Sequence, residues 1–250
     1  MSTRAIVPVK LSLTEGDFYT LWAPKWRQSG SEWQAFLGDD EAVLAFNSPA
    51  ELLCFLESGT KHDLLDHPQW DQFAGRDADR VTPAERDEYD LIGMPEALAG
   101  RPSHRNVSTV ARNLEIASAL ADVAGAEHTT IFFASHSILR NVSRGADHYS
   151  GEQGMSEWSG VGHVIAGNWK KVIEDLDEHV RVVSSDDFDA AKVSDAKERI
   201  SSAAAASAAA AKEAEEKRKA AAEAADPYDN SPWAAAGIDP IKITAQSKSV

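Results

Sequence analysis

One stretch of this chain constrains the fold more than any other, an apolar stripe between residues 155 and 180. Its members recur every three or four residues, which is the period of one face of an α-helix. They are Met155, Trp158, Val161, Ile165, Trp169, Val172, Leu176 and Val180. Such a face must be buried against other elements, so the sequence predicts a long amphipathic helix that begins near Met155 and belongs to a folded domain.

The region just before this stripe is also helical in pattern. From Ser103, apolar residues follow the same three-to-four spacing up to Gly125, which is expected to end the helix. Residues 131–142 predict a shorter apolar helix, followed by a glycine-containing loop over 144–154.

The first hundred residues show strand patterns instead. Residues 6–13 alternate as a half-buried strand does, residues 18–22 predict a second strand, and residues 33–37 and 42–46 flank a polar loop that is typical of a β-hairpin. The capping-box patterns at 48–51 and 82–85 predict two short helices. Asp66 before Pro68 is typical of a helix cap, and residues 89–92 predict one more short strand. The expected fold class is α+β, with a small antiparallel sheet and short helices followed by a helical region.

An alanine-rich segment divides the rest of the chain. Between Ala203 and Ala225, 14 of 23 residues are alanine, and Glu–Lys pairs at four-residue spacing favour a helix with little apolar face to bury. We expect a sheet-containing region over 1–102, a helical region over 103–185 in the same domain, an exposed helical spacer over 186–225, and a linker with a strand-like apolar segment over 226–250.

Composition excludes several classes of function. The chain of 250 residues has a formal net charge of −15. Residues 1–100 hold 18 acidic and 8 basic side chains, a net charge of −10 that would repel a phosphate backbone, so no nucleic-acid partner is expected. The single cysteine, Cys54, lies in an apolar run and is expected to be a buried hydrophobe. With no apolar run of about 20 residues and no signal peptide, the sequence predicts a cytoplasmic protein without a membrane span.

Catalytic and cofactor motifs are weak. The glycines of residues 160–167 have the wrong spacing for a dinucleotide loop and lie within a helical pattern, and neither a P-loop nor a G-x-S-x-G elbow is present. We therefore expect no cofactor and no catalytic residues. The alternative is a small-molecule enzyme or metal-dependent hydrolase that uses His62, Asp63, Asp66 and His67, which are ligand types, although their spacing does not place both histidines on one helix face.

The aromatic residues suggest a second kind of site. Trp22, Trp26 and Trp33 lie within twelve residues of one another, near Phe36, in the most acidic part of the chain. Tryptophan is a common residue both of cores and of interfaces. One interpretation is therefore a tryptophan-rich core of a small sheet, and the other is an exposed surface that binds a peptide or a protein. Trp233, Ile238 and Ile241 are candidates for the same role near the C-terminus.

Four strings of the sequence have a familiar combination. They are L-W-A-P-K-W-R at 21–27, E-W-Q-A-F-L-G at 32–38, H-D-L-L-D-H-P-Q-W at 62–70 and G-I-D-P-I at 237–241. Together they resemble an actinobacterial family whose members are labelled uncharacterised or "primosomal" and which includes export chaperones of the SatS type. This resemblance implies a cytosolic, non-enzymatic protein that shields export-bound proteins. It also implies that the chaperone activity resides in a C-terminal domain after the G-I-D-P-I segment, so that this chain would hold only the region before it.

The residues and the resemblance together predict a cytosolic protein-interaction module, chaperone-like or adaptor-like, that assists protein export. It would bind protein or peptide partners through exposed aromatic and apolar side chains, while the acidic surface keeps the complexes in solution. Besides the enzyme, a structural scaffold that docks through the C-terminal segment remains an alternative.

Overall fold

A computed structural model describes residues 6–28, 30–39 and 41–224. The chain forms two compact units, Met1–Ser201 and Ser202–Val250. The strands are β1 (Val7–Leu13), β2 (Gly16–Gln28), β3 (Ser31–Phe36), β4 (Val43–Ala45), β5 (Glu88–Asp90) and β6 (Val180–Val182). The α-helices are α1 (Pro49–Glu57), α2 (Trp70–Ala74), α3 (Met94–Ala99), α4 (His104–Ala124), α5 (Glu127–Ser135), α6 (Gly151–His179) and α7 (Ala190–Ala224). Short 3₁₀ turns connect several of them, and the predicted α+β class is confirmed.

The main sheet has four strands in the order β3–β2–β1–β5. β1 pairs antiparallel with β2, and β2 pairs antiparallel with β3. β5 pairs parallel with β1, so the sheet is mixed and not wholly antiparallel as expected. β4 and β6 form a second, parallel pair whose members are far apart in sequence. Both parallel pairings join strands that are not neighbours along the chain, which alternation within a single strand does not reveal.

The hairpin predicted over 33–46 forms only at its tip, and the strand β3 pairs with β2. β2 is 13 residues long and returns directly into β3 through a turn at Gly30, whose φ of +85° suits glycine. Of the expected pairing with residues 42–46, one isolated bridge between Gly38 and Val43 is present, next to a hydrogen bond of 2.8 Å from the Leu44 N–H to the Leu37 carbonyl.

Helix ends follow the sequence in three places. Ser48 caps α1 by accepting the N–H of Glu51, while the Glu51 carboxylate accepts the N–H of Asn47, one residue before the position expected for a capping box. Ser103 caps α4. Gly125 ends it with a φ of +73°.

Two other predicted helix starts are wrong. The T-P-A-E pattern at 82–85 precedes only a 3₁₀ turn, Glu85–Asp87, because the chain enters β5 directly afterwards. Asp66 caps no helix, since it lies in the 3₁₀ turn Asp63–Asp66 and α2 begins at Trp70 after Gln69.

The core lies where α4 and α6 pack against one face of the main sheet. The stripe of α6 is buried as predicted at Trp158, Val161, Ile165, Trp169, Val172 and Leu176, whereas Met155 is exposed and Val180 begins β6. The indole of Trp169 donates to the Leu91 carbonyl at 2.7 Å, and the indole of Trp158 donates to the Gly100 carbonyl at 2.9 Å. These hydrogen bonds tie α6 to the segments on either side of α3.

The alanine-rich segment is helical, as expected. α7 begins at Ala190, and its first turns belong to the first unit, where Ala196 is buried and Arg199 makes a bidentate ion pair with Glu57 at 2.9 and 2.6 Å. In the second unit, Lys217 and Lys219 pair with glutamates one turn earlier, at 2.7 and 3.1 Å. The predicted strand-like segment of 226–250 lies outside the described residues. Within the described part, no helix has both the length and the apolarity that a membrane crossing needs.

Candidate functional site

The structure divides the predicted aromatic surface into a buried half and an accessible half. Trp22 and Phe36 are 4% and 1% exposed and stack on each other, with ring centroids 5.9 Å apart. They are core residues and offer no surface to a partner, because they point to the face of the sheet that α4 covers. Trp33, by contrast, is 55% exposed. Trp233, Ile238 and Ile241 lie outside the described residues.

Trp26 and Trp33 line a cleft of about 420 Å³ together with the 3₁₀ turn at 63–66. We call it the tryptophan cleft. Its lining residues are Trp26, Ser31, Trp33, Gln34, Ala35, Asp63, Leu64, Asp66 and His67. The register of β2 shifts between Ala23 and Trp26, which places Trp26 directly opposite Trp33. The cleft therefore joins two aromatic candidates to three of the four candidate metal ligands.

The two histidines are held by aromatic contacts on opposite sides of the 3₁₀ turn. The ring of His62 meets Trp70 edge-on at 4.5 Å, and the ring of His67 meets Trp26 in the same way at 4.5 Å. Burial lowers the pKa of both imidazoles, so both are neutral at pH 7. His67 Nδ1 accepts the N–H of Gln69 at 3.1 Å, which leaves Nε2 as the protonated nitrogen.

No group of three or more His, Cys, Asp or Glu side chains in the described residues is arranged to hold a metal ion. His62 does not line the cleft, whereas Asp63, Asp66 and His67 do. The described residues therefore show no coordinating arrangement of the four proposed ligands, and the metal site stays a prediction. Cys54 is half-buried on α1, less enclosed than its apolar neighbours indicate, and burial raises the pKa of its thiol.

The glycine-rich string at 160–167 lies inside α6, as its helical pattern predicts. A side chain at Gly160 would come within 3.1 Å of Ile138, so this glycine permits a close approach of the 3₁₀ turn Ser137–Arg144. Gly162 and Gly167 face open space. The string is thus part of the helical scaffold and has no phosphate-loop context.

A second, larger cleft was not predicted from the sequence. It has a volume of about 920 Å³ and lies among α4, α5 and the 3₁₀ turn Ser137–Arg144; we call it the helical groove. Its apolar lining is Ala111, Leu114, Phe133, Ala134, Leu139 and Val142, and its rim carries Lys25, Glu115, Asp122 and Arg140. The consecutive apolar residues Ile131, Phe132 and Phe133 were the available signal, because three in a row cannot all face one core.

Comparison with known proteins identifies a family and a solved structure that are similar to this chain. The sequence profile of the family described as "SatS C-terminal domain" matches residues 6–177. The chain belongs to this family. A solved structure titled "The crystal structure of SatS c-terminal domain in complex with bromine" has a TM-score of 0.50, with 17% identity over 72% of this chain and 94% of that chain. At this identity the structural likeness shows the shared fold. No curated protein matches the chain at a significant level.

The match changes the domain assignment implied by the resemblance. The resemblance implied that this chain holds only the region before a C-terminal domain. The family profile instead assigns residues 6–177 to the C-terminal domain itself. The tryptophan cleft and the helical groove both lie inside the matched residues.

Proposed function

We propose that this chain is a non-enzymatic export-chaperone module of the SatS type that binds protein clients in the cytoplasm. The observation that carries the proposal is the family match over residues 6–177. It supports protein clients as the ligand class, and the net charge of −15 favours keeping a client complex in solution.

The helical groove is the surface that we assign to general client binding. Its volume of about 920 Å³ accommodates several side chains of an unfolded segment. Leu114, Leu139 and Val142 form an almost fully buried floor, and half-buried Phe133 forms part of a wall. Charges of both signs occupy the rim, so the groove selects for apolar content and not for one charge.

A holdase assay tests this proposal. Light scattering of a heat-aggregating enzyme should fall when the full chain is added in excess. Ala134→Asp places a charge in the exposed wall of the groove and should abolish most of this protection, because an unpaired charge in an apolar contact is costly.

The matched control is Ala99→Asp. Ala99 is also an exposed alanine in the last turn of a short helix, but it lies outside the groove. Both variants should keep the wild-type circular dichroism spectrum. Equal protection by Ala134→Asp and the wild type would remove the groove from the proposal, and no protection by the wild type at excess would contradict the chaperone function itself.

A further inference from the structure

The tryptophan cleft differs from the helical groove because it adjoins an open strand edge. β3 is the terminal strand of the main sheet, and no described residue pairs with its backbone on the side away from β2. An unpaired edge offers N–H and C=O groups to an extended chain, which can add as a further strand. The cleft therefore offers a ligand both backbone hydrogen bonds along β3 and contacts with the side chains of its walls.

The walls of the cleft are aromatic. Trp33 is 55% exposed on the edge strand, and Trp26 is half-buried opposite it. Fully buried Leu64 forms part of the floor. A large aromatic side chain on an exposed edge promotes aggregation unless something covers it, and indole rings are favourable contacts for both apolar and cationic side chains.

The charged side chains that line the tryptophan cleft are acidic. Asp63 and Asp66 are both exposed, and the described lining contains no lysine or arginine. His67 adds no positive charge, because burial keeps it neutral at pH 7. Lys25, which precedes Trp26 in sequence, lines the helical groove and not this cleft, and its Nζ lies 3.7 Å from the Glu32 carboxylate. The mixed rim of the helical groove has no such preference.

His67 supplies a polar group beside the aromatic walls of the cleft. The residue is only 8% exposed and lines the cleft. With Nδ1 accepting from Gln69, the Nε2–H has no acceptor among the described residues. The Nε2–H is therefore available to donate a hydrogen bond to a ligand carbonyl in the cleft.

We propose that the tryptophan cleft binds the start of a secretory signal sequence, as an extended segment added to the edge of β3. The positively charged beginning of such a sequence matches Asp63 and Asp66, and the apolar run that follows matches Trp26 and Trp33. This inference rests on the proposed function and names the client segment that the module recognises. The helical groove then binds the client in general, and the cleft distinguishes export clients from other unfolded chains.

Fluorescence anisotropy with the full chain tests the inference directly. The probe is a short labelled peptide with two lysines followed by leucine, alanine and valine. Asp66→Asn should weaken its binding several-fold, and Trp33→Ala should weaken it about tenfold, the equivalent of about 1.4 kcal/mol. Neither side chain makes a hydrogen bond or ion pair within the described residues, so the fold should tolerate both changes. Glu96→Gln, a neutralised exposed carboxylate on α3, should bind like the wild type.

Two control peptides test the charge preference and the backbone pairing separately. A peptide with glutamates in place of the lysines should bind at least tenfold more weakly, and raised salt should reduce the difference. A peptide with N-methylated backbone amides at alternate positions should also bind more weakly, because it cannot complete a strand ladder.

The holdase assay separates this inference from the function on which it rests. If the wild type protects the aggregating enzyme but binds the lysine and glutamate peptides equally, the signal-sequence inference is overturned and the chaperone proposal stands. The same conclusion follows if Trp33→Ala binds the peptide like the wild type. If Trp33→Ala keeps full protection but loses the peptide, the two clefts have separate roles, as proposed.

Discussion

The two faces of the β2–β3 ribbon make opposite uses of the same residue type. On one face, Trp22 and Phe36 stack inside the core beneath α4. On the other face, Trp26 and Trp33 open onto a cleft. The four aromatic residues are close neighbours in sequence, and strand alternation together with one register shift separates them. Aromatic content alone therefore does not identify a binding surface.

The indole nitrogens show the same division. Trp158 and Trp169 each donate to a carbonyl of another segment, so each acts as an anchor between elements. The Trp22 indole is buried without an acceptor in the described part of the chain. Trp33 needs no acceptor from the protein, because water reaches it. The predictions that follow test this contrast between the core face and the cleft face.

The largest expected effect is on the stability of the core, at a tryptophan of α6. Trp169→Ala removes a ring that is 3% exposed and packs against Phe132 and the sheet, so we expect a loss of about 3–5 kcal/mol in the free energy of unfolding. Urea denaturation followed by circular dichroism measures this loss. A loss below about 1 kcal/mol would contradict the assignment of α6 to the centre of the core.

The next effect compares two buried indoles. Trp169→Phe leaves the Leu91 carbonyl without its donor, which should cost about 1–3 kcal/mol beyond the change in volume. Trp22→Phe removes a donor that has no acceptor among the described residues. It should therefore lower the free energy of unfolding only through the smaller volume of the ring. The difference between the two urea midpoints measures the hydrogen bond, and equal midpoints would show that the bond contributes nothing.

A smaller expected effect is the pH dependence of the free energy of unfolding. Burial holds the pKa of His62 and His67 below the ordinary value of 6.5, so the unfolded chain binds protons more readily than the folded one below that pH. Their contribution to stability is complete above pH 6.5 and is lost as pH falls through 6.5 toward the lower folded pKa values. The urea midpoint should therefore fall between pH 7 and pH 5.5.

The variant His62→Gln, His67→Gln is the control for this pH effect. Its urea midpoint should change less over the same range, because two titrating groups are gone. An identical pH dependence in the variant and the wild type would assign the effect to other groups.

The smallest effect on stability belongs to the cleft face. Trp33→Ala should change the free energy of unfolding by less than about 0.5 kcal/mol, because the side chain is 55% exposed. It should nevertheless remove much of the tryptophan fluorescence that acrylamide quenches. A large loss of stability would mean that Trp33 is a packing residue and not a docking surface.

Some of the molecule follows directly from local sequence. The stripe of α6, the start of α4 at Ser103 and its end at Gly125 are set by spacing and by capping residues that act within one or two turns of the chain. The same holds for α1, which begins after Ser48, and for the salt-bridged turns of α7. These features depend on neighbours in sequence, so periodicity and propensity predict them.

The candidate site could be predicted only in part. The sequence marked Trp26, Trp33, Asp63, Asp66 and His67, but in two unrelated hypotheses, one aromatic and one metal-binding. It did not indicate that they share a cleft, and it did not mark the helical groove. Contact between β3 and the 63–66 turn is a long-range event, and no local pattern encodes it.

The sequence by itself determined the α+β composition, the long helices and the acidic character of the first hundred residues. Only the tertiary structure decided that β3 pairs with β2 and not with residues 42–46, and that β5 and β6 join parallel to earlier strands. It also decided which tryptophans are buried. The physical reason is that side-chain period defines the two faces of a strand, whereas the choice of partner strand defines which face meets the core.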